Sequence, residues 1–219
     1  MEKDNIVNRH TESLNRNFEG LQKYFNYDWQ IFFELQPLVF EITHCLLLEL
    51  NHASITLTNN LLERLLKLAL VNDEVGVGSI PLDKWDEVFG SADKKHGSIV
   101  LYEAIQRCSD KGLINKEEKE FLSDVIREKL RNGFSHADMN KVLHETNQED
   151  IVLFHGSFSN PTDLKRVQFN YIAIPAFQRI FIDNFVKQNA RPYFDFIFNL
   201  IGKMEKRLMD KHKKSEVVA

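Results

Sequence analysis

Two neighbouring stretches constrain this chain more than any other feature. Pro37 to Asn51 (PLVFEITHCLLLELN) and Ser54 to Val71 (SITLTNNLLERLLKLALV) are strongly apolar at the three-to-four-residue period of a helix. Glu41, Glu49, Glu63, Arg64 and Lys67 interrupt them too often for either to span a bilayer. They read as two central helices joined by a short connection, an antiparallel helical hairpin opened by Pro37 in the first turn. Such a pair must bury its apolar surface against further helices, so the chain is expected to be all-α.

The rest of the pattern supplies those helices. Ser98 to Lys111 places Leu101, Ala104, Ile105 and Cys108 in register, with Gly112 as its stop. Lys116 to Leu130 aligns Phe121, Leu122, Val125, Ile126 and Leu130, and starts at Asn115 with Glu118 three residues on, the pattern of a capping box. Met1 to Asp28 carries one thin stripe, Leu14, Phe18, Leu21 and Phe25, and reads as a helical arm. Asn72 to Gly97, punctuated by Gly76, Gly78, Pro81 and Gly90, reads as a long loop with one turn around Trp85 and Phe89. Asp150–Phe154 and Lys165–Phe169 form a small β-hairpin on this reading, followed by two amphipathic helices, Tyr171 to Gln188 and Pro192 to Lys211. The expected organisation is an arm (1–28), a helical core (29–145), a hairpin with two helices packed on that core (146–212) and a frayed tail (213–219), in one domain overall.

With 219 residues, 43% hydrophobic and 27% charged, the chain supports one well-packed domain, and seventeen Phe predict an aromatic core. A net charge of −4 argues against non-specific charge binding to nucleic acid. The polar start MEKDNIVNRH has no signal-peptide core, and Cys45 and Cys108 fall at apolar helix positions as free thiols. Together these predict a cytoplasmic protein with no membrane association.

Chemistry concentrates in Arg131 to Asp138, RNGFSHAD. Arg131 sits in the last turn of a helix stopped by Gly133, and Ser135-His136-Ala137-Asp138 has the form that starts another. A histidine in a first helical turn faces the positive end of the dipole, which disfavours imidazolium and keeps the ring able to accept a proton. Arginine offers a permanently charged planar fork suited to phosphate. Chance supplies about 0.4 arginines followed five positions on by histidine in this composition, and about 0.03 once Asn must follow the arginine. Arg207 and His212 share the spacing inside a continuous helical pattern and act as an internal control.

RNGFSH resembles the R-N-x-x-x-H form of the R-x(4–6)-H motif of the HEPN superfamily, all-helical proteins many of which are metal-independent endoribonucleases in toxin, antiphage and RNA-processing systems. The resemblance implies a homodimer with the two motifs facing each other, RNA as substrate, and Arg131, Asn132 and His136 as catalytic residues. It implies a toxin or defence setting with an antitoxin or regulatory protein as a possible partner. The resemblance also leaves a non-catalytic HEPN-like RNA- or protein-binding module open. Arg127 and Ser135 are candidate substrate contacts beside the motif, although Arg127 could equally pair with Asp124 or Glu128 on its own helix.

Other constellations carry less. Glu41/His44 and Glu49/His52 have di-iron spacing, but on one predicted helix they stand eight positions apart, about 12 Å along its axis, too far to share a metal pair. His136, Asp138 and His144 match no defensible ligand pattern. Neither a phosphate-binding glycine loop nor a dinucleotide fingerprint is present, so no cofactor and no metal are expected.

Overall fold

The structure is a computed structural model that describes residues 3–78, 80–131, 153–155, 165–167 and 175–216. The fold is an all-α bundle: α1 Lys3–Leu21, α2 Gln36–Leu47, α3 Asn51–Val75, α4 Trp85–His96, α5 Leu101–Asp110, α6 Lys116–Glu120 running into a π-helical segment Phe121–Arg131, and α7 Pro175–Glu216. Short 3₁₀ turns precede α2 and α4. The expected hairpin is present as two three-residue strands, β1 Leu153–His155 and β2 Lys165–Val167, paired antiparallel with Leu153 opposite Val167.

The α2–α3 hairpin forms, but its break falls earlier than predicted. α2 ends at Leu47, and Glu49 takes a φ of 59°. Leu50 N–H bonds back to the Cys45 carbonyl at 2.7 Å and Glu49 N–H to that of Leu46, a Schellman closure without glycine. The left-handed backbone costs a non-glycine residue about 1 kcal/mol. The Glu49 carboxylate offsets it by accepting from Arg16 at 2.7 Å and from Asn17 at 3.3 Å, which ties α1 to the turn. Gly112 closes α5 in the same way at φ 72°, as its sequence position predicts.

Two further expectations are corrected. Asn72–Gly97 is mostly helix: α3 runs on to Val75 and α4 occupies twelve residues, with Trp85, Phe89, Ala92 and His96 on one face. The glycines mask that stripe because Gly90 sits inside α4. The two C-terminal helices are one 42-residue helix with Pro192 inside it. The buried positions Ile182, Val186, Ala190, Tyr193, Phe194, Ile197, Ile201, Met204 and Leu208 run past Pro192 without a change of phase. That burial outweighs the hydrogen bond that proline removes.

α7 is therefore a core helix rather than an addition to the core. It packs chiefly along α3, where Tyr193 donates a buried hydrogen bond to Asn59 at 2.9 Å. Its Phe194 and Phe198 meet Tyr24 at ring-centroid distances of 4.8 and 4.9 Å, and Trp29 lies 5.0 Å from Phe198. Glu205 clips the incoming chain by accepting from the Gln30 and Ile31 amides, each at 2.6 Å. Lys23 and Tyr24 both donate to Asp195. The α1 stripe is only half covered. Leu21 is buried, whereas Leu14 and Phe18 are 43% and 48% exposed, because α1 is held at its C-terminal half alone.

Candidate functional site

The helix that leads to the motif starts where its sequence places it. The Asn115 side chain accepts from the Glu118 amide at 2.8 Å, and the Glu118 carboxylate accepts from the Asn115 amide at 2.9 Å. This reciprocal box satisfies two amides that the helix leaves open. From Phe121 the backbone widens into a π-helix, where an α-helix through Leu130 is expected. The wider turn keeps Leu122 and Ile126 in the core, sets Phe121 against Phe196 at 4.6 Å and brings Arg127 over the half-exposed Tyr102 ring at 5.0 Å.

Arg131 is the last described residue of this helix. Asn132, Gly133, Ser135, His136, Asp138 and the helix expected after them lie outside the described residues. Arg127 is thus the candidate contact whose surroundings are described. The π-helix packs against α5, which carries Tyr102.

Three charged clusters support that face and α7, and none is visible from sequence spacing. Glu118, 5% exposed, has a second role: Arg207 grips it with two bonds at 2.6 and 3.1 Å, and Lys203 approaches to 3.6 Å. Burial alone would raise the Glu118 pKa, but the Arg207 fork and the Asn115 amide outweigh it and hold the carboxyl below its ordinary range. Arg207 also donates to the Leu113 carbonyl, so the α5–α6 corner is pinned to α7. The control pair Arg207/His212 accordingly lies within α7, with its arginine engaged in packing the bundle.

Asp73, near the end of α3, accepts from Lys111 at 2.6 Å and Lys211 at 2.5 Å. Burial pushes its pKa up, and the two ammonium groups overcome that and lower it. A carboxylate with a depressed folded-state pKa adds stability above its unfolded value, about 4, that is lost as pH falls through the folded value. Asp73→Asn is therefore expected to lower stability by about 1–2 kcal/mol at neutral pH. It should also flatten the loss of stability as pH falls below about 4. Urea melts across that range check both effects.

The third cluster contains a buried histidine. His96 is 1% exposed; its Nε2 faces Glu74 at 2.9 Å and its Nδ1 faces Arg107 at 3.2 Å. Arginine can only donate, so Nδ1 accepts and Nε2–H donates to Glu74. Both ring nitrogens are occupied and the ring meets no solvent, so this histidine fixes α4 to α3 and α5. Hydrogen bonds from Lys95 and His96 lower the Glu74 pKa.

The two Glu-x-x-His pairs do not share one helix, contrary to the sequence expectation, because Leu48–Leu50 is the turn. His44 Nδ1 lies 2.8 Å from the Phe40 carbonyl, Glu49 binds Arg16, and His52 Nε2 lies 3.1 Å from Asp183. Among the described residues no three His, Cys, Asp or Glu side chains gather at metal-ligand spacing. Cys45 and Cys108 are free thiols, and burial raises the pKa of both. No described helix is long and apolar enough to cross a membrane. No family model, curated protein or solved structure matches the chain.

Proposed function

We propose that this protein is a HEPN-like, metal-independent endoribonuclease acting as a homodimer. The observation that carries the reading is RNGFSH itself, an Arg-Asn pair where the sequence predicts a helix to end, with histidine five positions after the arginine. The capped, core-anchored helix that delivers Arg131 supports it, as does the Arg127–Tyr102 pair on the face approaching the motif.

In this mechanism His136 takes the proton from a ribose 2′-hydroxyl. The 2′-oxygen attacks phosphorus and the P–O5′ bond breaks. The partner subunit's His136 returns a proton to the leaving 5′-oxygen. Arg131 holds the scissile phosphate and stabilises the charge that develops on it. Asn132 orients these groups or donates to the phosphate, and Arg127 and Ser135 extend the contact to RNA. The product carries a 2′,3′-cyclic phosphate. The role belongs to a cytoplasmic toxin or antiphage defence protein, held in check by an antitoxin or other regulatory protein.

A second reading is a non-catalytic dimeric module that binds RNA or protein through the same surface; the net charge of −4 favours its protein-binding form. Incubating the purified protein with labelled single-stranded RNA in EDTA separates the two. Cleavage in chelator is the expected result. Intact RNA across several substrates, or cleavage that EDTA abolishes, contradicts the proposal.

A further inference from the structure

A groove of about 870 Å³ opens where segment 30–34, the end of α3 with the turn after it, α4 and the last turns of α7 meet. It lies within the volume range of small-molecule sites. Its walls are aromatic and solvent-facing: Phe33 is 62% exposed, Trp85 49% and Phe89 36%. The Trp85 indole N–H donates to the Ile80 carbonyl at 3.0 Å, which fixes that ring. Phe89, one helical turn on, stands nearly perpendicular to it at 77°, with the centroids 6.0 Å apart. Two carboxylates, Glu34 and Asp86, line the same groove, and among the described residues neither has a hydrogen bond or ion pair. Among the described residues Lys213 is the single basic residue of the lining.

This combination selects among ligand classes. A neutral apolar ligand would strip water from two carboxylates and give them no partner. An anion would face both of them. A bare ammonium or metal ion holds its water too strongly to exchange it for aromatic faces. A methylated ammonium group is weakly hydrated and positively charged, and it is attracted both to ring faces and to nearby carboxylates. We infer that the groove formed by Trp85, Phe89, Phe33, Glu34 and Asp86 is a binding site for a small organic cation bearing a quaternary ammonium head, with an apolar body along the rest of the groove.

Trp85 supplies its own reporter, because the other tryptophan, Trp29, is buried and stacked on Tyr27. The test is a fluorescence titration of the full chain with choline and, in parallel, with dimethylbutanol, its uncharged isostere with carbon in place of nitrogen. Choline should change the emission saturably and bind at least tenfold more tightly than the isostere. Phe89→Ala and the double variant Glu34→Gln, Asp86→Asn should each weaken choline tenfold or more, with unchanged melting temperatures showing that the fold is kept. Lys213→Met should tighten it severalfold by removing the opposing charge. Equal binding of the two probes, no saturable change with choline, or undiminished affinity in the carboxylate variant would overturn the inference.

Discussion

His136→Ala is expected to reduce the RNA-cleavage rate of the purified protein by about 10²–10⁴-fold, the contribution of a positioned general acid–base group. In a composite dimer site the substitution removes the base from one side and the acid from the other, so the loss should sit at the upper end of that range. Arg131→Ala should fall by a similar factor, about 10²–10³, because it removes the cation proposed to face the developing phosphorane charge. His212→Ala should leave the rate unchanged, since Arg207 and His212 repeat the spacing within α7 while Arg207 is committed to Glu118. The comparison separates chemistry from coincidence of letters. Initial rates in EDTA, with dimer mass and melting temperature measured on each variant, check it. Equal losses in His136→Ala and His212→Ala would point to a general effect on the fold.

The second large effect concerns stability. Glu118→Ala should destabilise the protein by about 3–5 kcal/mol, because it leaves Arg207 without its carboxylate in a part-buried site and removes one half of the capping box. Glu118→Gln keeps the shape and one acceptor and should cost about half as much. Since the helix that Glu118 caps also carries Arg131, the Ala variant should lose the proposed nuclease activity at temperatures where the Gln variant retains it. Chemical denaturation with activity measured on the same samples checks both. Equal stability of Glu118→Ala and wild type would mean that the Arg207 fork contributes nothing net.

Some of this was legible before folding because its cause is local. Asn115 and Glu118 lie three residues apart, and the box they form depends only on a helix beginning there. Gly112 closes α5 for an equally local reason. The break at Glu49 was hidden, since a left-handed glutamate within the run LLLELN carries no signal of its own and is held by Arg16, 33 residues away. Pro192 misled in the other direction: a proline ordinarily ends a helix, but the apolar stripe of α7 against α3 keeps this one continuous. The pairs Glu118–Arg207 and Asp73–Lys211 join residues 89 and 138 positions apart, and no spacing rule reaches so far. Of the candidate site, the letters Arg131, Asn132, Ser135 and His136 came from the motif alone. What the fold adds is the helix described as far as Arg131, its π-helical widening and Tyr102 beneath Arg127.

In the proposed reaction a ribose hydroxyl, and no metal, supplies the nucleophile. The most direct test is to incubate the protein in EDTA with a labelled RNA and with the same sequence carrying 2′-deoxyribose throughout, then to identify the product ends by mass spectrometry. The expected result is RNA cut to fragments ending in 2′,3′-cyclic phosphate while the deoxy strand stays intact. Cleavage of both strands, products ending in a plain 3′-hydroxyl, or an RNA left whole would contradict it.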